Sequence, residues 1–190
     1  MPAADRQKWD AKYASNEAAW REPSAVLLGL ADYLPSQGRA LDIAGGAGRN
    51  TIWLAQRGLT VTIADVSPVG LTAARQRAAA AGVKIETIEI DLEQNPLPPG
   101  PFDLILSVCY LWRPLFEQIP SSLAPGGMLA VIQPTIKNLE RNEKPPAAFL
   151  LQPGELRKLA GALEIVHYTE EWSADDRHDA VLIAHKRTFH

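Results

Sequence analysis

The chain has 190 residues, 46% hydrophobic and 22% charged, the mix of an ordinary folded domain rather than of a disordered or fibrous chain. Its 19 basic and 22 acidic residues leave a formal charge of −3, and no basic run marks a nucleic-acid surface. The single cysteine, Cys109, excludes an internal disulfide and fits a reducing, cytoplasmic setting, while no apolar run reaches the ~18 residues of a membrane span.

Residues 5–15 read as a short helix with Trp9 and Tyr13 four apart on one side. Pro23 and Ser24 open a second helix, carrying Val26, Leu27, Leu30, Ala31 and Leu34, that closes at Pro35–Gly38. The period then changes. Ala40–Ala44 is a buried strand ending in a glycine turn, Arg49–Arg57 is a helix stopped by Gly58, and Thr60–Ala64 is the next strand, ending at Asp65. Ser67-Pro68 caps the helix Leu71–Ala81, and Lys84–Ile90 alternates with period two up to Asp91. After the proline loop 94–101 come the strand Phe102–Cys109, a helix over Pro114–Leu123, the turn Ala124–Gly127 and the strand Met128–Gln133. Residues 134–153 read as a mobile connection and Pro153–Leu163 as a helix; Ile165–Glu170 and Ala180–His185 are strands joined by the polar turn 173–179.

Near-continuous apolar strands alternating with helices predict a doubly wound, mostly parallel seven-stranded α/β sheet with an antiparallel C-terminal hairpin. The reading is one domain over 1–190, with a helical lid at 1–35 and a Rossmann-like core at 36–190. In such sheets ligands bind beyond the carboxyl ends of the strands. Three features fall there: the loop Asp42-Ile43-Ala44-Gly45-Gly46-Ala47-Gly48, Asp65 and Asp91. Glycines let the main chain approach a ligand, a carboxylate can accept from both hydroxyls of a ribose, and another can accept from an adenine amino group. For each there is a plainer reading: loop packing, or helix capping by an aspartate.

The stretches from Ala40 to Gly58, Val61 to Ser67, Ile88 to Glu93, Phe102 to Leu115 and Leu123 to Thr135 together resemble the class I S-adenosylmethionine-dependent methyltransferases. Within them the chain looks like the small tellurite-resistance and thiopurine methyltransferase-like group, to which Arg49-Asn50, Tyr110-Leu111 with Arg113-Pro114, and Pro125-Gly126-Gly127 also point. The loop departs from the family's Asp-x-Gly-x-Gly-x-Gly at Ala44, a residue at ease there only with negative φ. The resemblance implies S-adenosylmethionine as cofactor, a small-molecule partner, and no nucleic acid, membrane or metal. It places the methionine part beside Ala44, Gly45, Gly46, Gly48 and Asn50, the ribose on Asp65 and Val66, and adenine between Asp91 and Leu92. Ser107, Val108 and Cys109 would face the sulfonium, and Trp9 and Tyr13 would fold over the cofactor.

Candidate acceptor contacts are Trp20, Tyr110, Trp112 and Arg113, with core packing, or an ion pair for Arg113, as the alternatives. Cys109 is either a buried structural thiol or a group at the reacting centre. His167, His178 and His185 match no zinc spacing and read as structural or solvated. Two other functions stay open on the residues alone. A nicotinamide-dependent oxidoreductase also uses a glycine turn and an acid after the second strand, although this loop does not give Gly-x-Gly-x-x-Gly. A non-catalytic S-adenosylmethionine-binding protein would keep the same cleft.

Overall fold

Strands that are apolar along their whole length must be covered on both faces, and the central strands of this sheet are. The computed structural model describes residues 3–15 and 22–188. The strands are β1 (Arg39–Ile43), β2 (Thr60–Asp65), β3 (Ile85–Glu89), β4 (Phe102–Val108), β5 (Leu123–Pro134), β6 (Glu164–Trp172) and β7 (His178–His185). They form one sheet in the order β3-β2-β1-β4-β5-β7-β6, the first five parallel and β7 antiparallel to both of its neighbours. Leu41, Ile43, Ile105, Leu129 and Val131 face one side; Ala40, Leu104, Leu106, Ala130 and Ile132 face the other.

The helices are α1 (Ala3–Ala14), α2 (Ala25–Gly29), α3 (Arg49–Gln56), α4 (Pro68–Ala80), α5 (Ile119–Ser122) and α6 (Glu155–Leu159). Leu27 and Leu54, from α2 and α3, cover the second face, and Leu156 from α6 joins the first. The chain steps outward from β1 to β2 and β3, then crosses back to β4 on the other side of β1, so the strand order reverses at β1. The crevice above the end of β1 is therefore where this topology opens a ligand site. Among the described residues no helix is long and apolar enough to cross a membrane.

Several elements differ from the sequence reading. The second helix breaks at Gly29 and continues as a 3-10 turn over Ala31–Tyr33, since glycine weakens a helix interior. The helix read over Pro114–Leu123 splits into a 3-10 turn at Arg113–Glu117 and the single turn of α5, because Pro120 lacks the N–H a continuous helix would use. The helix read to Leu163 ends at Leu159, with Gly161 at φ +59 beyond it. Leu123 already pairs with Phe102, so β5 begins before the glycine turn; the next paired residue is Met128, opposite Leu104. The connection after β5 is anchored rather than loose: Leu150 and Leu151 are buried, Thr135 bridges Leu151, and the Asn138 amide donates to the Lys144 carbonyl at 3.0 Å. His178, expected in the turn, starts β7, buried against Thr135 Oγ1 at 2.7 Å.

Candidate active site

β1 ends in a tight left-handed turn. Ala44, Gly46 and Gly48 have φ of +52, +60 and +79. Ala44 therefore holds the conformation that suits glycine, at a cost of about 1–2 kcal/mol. Three hydrogen bonds hold the turn in place: Gly45 N–H to the Ala64 carbonyl (3.4 Å), Gly46 N–H to Asp65 Oδ2 (2.8 Å) and Gly48 N–H to the Gly45 carbonyl (3.0 Å). Two of the glycines do not make room for a ligand here. A Cβ on Gly46 would collide with the Tyr13 ring, and one on Gly48 would lie 2.9 Å from Ala74 Cβ. The first admits the lid helix α1, and the second lets α4 pack close.

The parallel register brings the ends of β2 and β3 level with this turn. Asp65 is 5% exposed, and its two oxygens accept one N–H each, from Gly46 and from Ser67, both at 2.8 Å. Burial pushes its pKa up, and these main-chain donors oppose the rise. Helix capping belongs to Ser67, whose hydroxyl accepts from Gly70 N–H at 3.0 Å, so Asp65 is not the cap of α4. Asp91 accepts from Glu93 N–H at 3.0 Å. Asp42, in β1, lies beneath the turn, 1% exposed, with the Thr51 hydroxyl donating to it at 2.5 Å. Burial pushes its carboxyl up to about 7.

These groups line one cleft with two halves that share Trp9, Ala44 and Tyr110. The first half is walled by Asp65, Val66, Ile90, Asp91 and Leu92. The second is walled by Tyr13, Gly45, Asn50, Val108 and Cys109 among the expected residues, and by Asp42, Ala47 and four cations, Lys12, Arg49, Arg77 and Arg177, that the sequence reading missed. Arg49 and Asp42 belong to the quoted motif and so were visible as candidates. Lys12, Arg77 and Arg177 come from distant elements, and no spacing signals them.

The second half holds about 230 Å³ and the first only about 30 Å³. The first is narrow because α1 lies across it: Trp9 stacks on Tyr13 with centroids 5.7 Å apart, Asp10 accepts from the Ser67 hydroxyl at 2.5 Å, and Arg6 pairs with Glu89 at 2.7 Å. A nucleoside needs this helix to lift. Among the described residues, none of α1 belongs to the buried core clusters. Deleting residues 1–15 is therefore expected to accelerate ligand release while lowering Tm little, measured by stopped-flow dissociation and thermal unfolding. A large loss of Tm with unchanged release would make α1 a structural helix.

The other expected contacts lie elsewhere. Ser107 is 3% exposed and donates to the Tyr110 carbonyl at 3.2 Å, below the cleft rather than on its wall. Trp112 packs against the core. Arg113 forks onto Glu155, Nε to Oε1 at 2.5 Å and Nη2 to Oε2 at 3.1 Å, and donates to the Leu150 carbonyl; it ties α6 to the loop before it instead of facing a ligand. Trp20 lies outside the described residues. Cys109, at φ +58, is exposed on the cleft, and desolvation by the surrounding walls raises the pKa of its thiol, so it stays a thiol at neutral pH. The Tyr110 hydroxyl is buried with no hydrogen-bond partner among the described residues, and burial, with Glu93, Asp91 and Asp65 nearby, raises its pKa. An orphaned donor beside two carboxylates in a cleft fits a polar ligand. Among the described residues no group of three or more His, Cys, Asp or Glu is placed to hold a metal.

Residues 40–127 match the family model described as a methyltransferase domain. A demethylmenaquinone methyltransferase of Thermus thermophilus is 33% identical over 103 residues, covering 50% of this chain and 46% of its own. A tRNA 5-carboxymethoxyuridine methyltransferase of Escherichia coli K12 is 32% identical over 121 residues, covering 60% of this chain and 45% of its own. The chain thus spans less than half the length of these curated relatives. Among solved structures, TehB from Haemophilus influenzae superposes with a TM-score of 0.76 at 18% identity, over 94% of this chain and 67% of that one. A TehB-like protein from Corynebacterium glutamicum gives 0.67 at 18%, over 95% and 97%. At these identities the structures show a shared fold.

Proposed function

We propose that this chain, whose residues 40–127 match a methyltransferase domain and whose sheet runs in the order β3-β2-β1-β4-β5-β7-β6, is a class I S-adenosylmethionine-dependent methyltransferase that transfers the cofactor's methyl group to a small molecule. The observation that carries the reading is the pair of carboxylates, Asp65 and Asp91, on one cleft wall at the ends of adjacent strands, opposite the strained turn at Ala44. The residues fit the cofactor in kind. Each Asp65 oxygen keeps a lone pair beyond the N–H it already accepts, which suits a ribose diol. Val66 and Leu92 offer apolar surface for the base, and Asn50 and Gly45 lie in the half that would hold the methionine part.

The cofactor supplies an electrophilic methyl on a positive sulfur, with a neutral thioether as leaving group. What the protein must add is orientation, worth effective molarities of roughly 10⁵–10⁸ M. Trp9 and Tyr13 close the cleft against water, and Val108 and Cys109 border its open half. Cys109 and Tyr110, both with raised pKa, supply no base at neutral pH. A soft nucleophile that is already anionic, such as a thiolate or a heavier chalcogen, needs none. The relatives named above act, by their names, on demethylmenaquinone and on tRNA 5-carboxymethoxyuridine, so the acceptor does not carry over from them; the net charge of −3 favours a small molecule over RNA.

Isothermal titration with S-adenosylhomocysteine tests the reading. Saturable one-to-one binding, displaced by S-adenosylmethionine, is expected. No heat and no competition at millimolar ligand would overturn it, and a preference for a reduced nicotinamide would replace it with the oxidoreductase alternative.

A further inference from the structure

A second concavity, larger than either half of the cleft, opens between α2 and the β6–β7 hairpin and holds about 510 Å³. Small-molecule sites fall at roughly 300–1,000 Å³. Val26, Leu30 and Val181, from one core cluster, give this groove an apolar floor, and Tyr33 and Trp172 give it aromatic walls. Asp179 lines the groove while its partner Arg177 lines the cleft, so their ion pair is the partition between the two. Gly29, the last residue of α2, also borders the groove; a Cβ there would meet nothing within 4 Å, so a larger side chain has room to enter.

The charge of the groove is one-sided. Asp179 is neutralised from behind: Arg177 Nε reaches both of its oxygens at 2.8 Å, and Nη2 reaches Oδ2 at 2.7 Å. Glu171 and Asp175 are exposed on the wall, and neither carboxylate is paired among the described residues. No lysine or arginine among the described residues lines the groove; its one ring base, His167, lies against Tyr33 with centroids 5.0 Å apart. Trp172 already takes a cation, the Arg141 guanidinium, 4.0 Å from its ring. The Ser173 hydroxyl on the same wall is buried with no hydrogen-bond partner among the described residues, and a polar atom left in that state calls for one supplied from outside.

We infer that this groove is a second ligand site, and that it takes an organic monocation with an apolar body: an ammonium carrying an aryl or branched alkyl group. The body lies along Val26, Leu30 and Val181, and the ammonium sits at the end formed by Trp172, Glu171 and Asp175. The Ser173 hydroxyl, turned about its Cα–Cβ bond, accepts one of the ammonium N–H groups. Acids without cationic neighbours concentrate a positive ligand, while the apolar floor selects against a bare inorganic ion. The site lies outside the methyl-transfer cleft, and the inference does not depend on that reading.

The test is calorimetry on the full chain at low salt with three ligands of one shape: 2-phenylethylamine, the neutral 2-phenylethanol and the anionic 3-phenylpropionate. The amine should bind saturably, about fivefold or more tighter than the alcohol, with the acid weakest. The double variant Glu171→Gln with Asp175→Asn should bring amine and alcohol to equal affinity. Gly29→Leu should weaken the amine and the alcohol alike by filling the groove. Both acids are exposed, so the double variant decides the matter even if Gly29→Leu disturbs α2. No saturable amine binding, equal affinity for amine and alcohol in the native chain, or an amine preference that survives the double variant would each overturn the inference. So would amine binding left intact in a folded Gly29→Leu chain, since the strand-end acids of the cleft would then be the site. No arm uses S-adenosylhomocysteine, so failure of the methyl-transfer reading and failure of this one are told apart.

Discussion

Replacing Asp65 with alanine is expected to weaken S-adenosylhomocysteine binding by about 10- to 150-fold, the roughly 1.5–3 kcal/mol of hydrogen bonds to a charged group. The carboxylate is nearly buried, and each oxygen already accepts one main-chain N–H, from Gly46 or from Ser67. Those donors aim it, and its remaining lone pairs are the ones offered to the cleft. The same substitution strips a partner from two main-chain donors, so a fall in Tm is expected as well. The two effects separate because affinity is measured on the folded protein by calorimetry, and stability by thermal unfolding. A lower Tm with unchanged affinity would mean that Asp65 only ties the turn to the start of α4.

The largest expected effect on stability belongs to Asp42. Its carboxyl is raised from 3.8 to about 7 in the folded chain, chiefly by burial, with the Thr51 hydroxyl opposing and the Asp65 charge adding to the rise. Between those two values the native state holds a proton that the unfolded state has released. Stability therefore falls as pH rises through this window, by about 1.4 kcal/mol per pH unit and roughly 4 kcal/mol in all, and levels off above the folded value. Other carboxylates contribute their own pH dependence, so the clean measurement is the difference between Asp42→Asn and the native chain. Asparagine keeps an acceptor for Thr51 and cannot ionise. Denaturant titrations from pH 4 to 8 should show the variant gaining on the native chain as pH rises, with the gap levelling near pH 7. A gap independent of pH would mean that Asp42 ionises in the folded protein much as it does in the unfolded one.

The fold was legible where physical signals repeat. Seven strands, the parallel core and the closing hairpin follow from apolar runs punctuated by glycine and proline, and Ser67-Pro68 marks the start of α4 by its cap. Short helices were less legible: Gly29 and Pro120 interrupt segments whose apolar pattern alone looks continuous. The cleft was legible where it is local. The motif turn and the strand-end acids Asp65 and Asp91 fall together because parallel register puts strand ends at one edge. For Arg113 the structure shows the ion-pair alternative, but its partner Glu155 lies 42 residues away, and no local pattern names it. Lys12, Arg77 and Arg177 reach the cleft from three separate elements for the same reason. At Ala44 the sequence could state a condition on φ but not its outcome; the turn held by Asp65 and Ala64 imposes +52 on a residue that resists it.

A crystal structure of the S-adenosylhomocysteine complex bears most directly on all of this. The account predicts α1 shifted outward from its present seat but still folded over the ligand through Trp9 and Tyr13, the ribose hydroxyls within hydrogen-bonding distance of Asp65, the base between Val66 and Leu92 beside Asp91, and the sulfur turned toward the half that holds Cys109 and Arg177. A ligand seated instead in the groove between α2 and the β6–β7 hairpin, or an adenosine that leaves both strand-end carboxylates untouched, would contradict it.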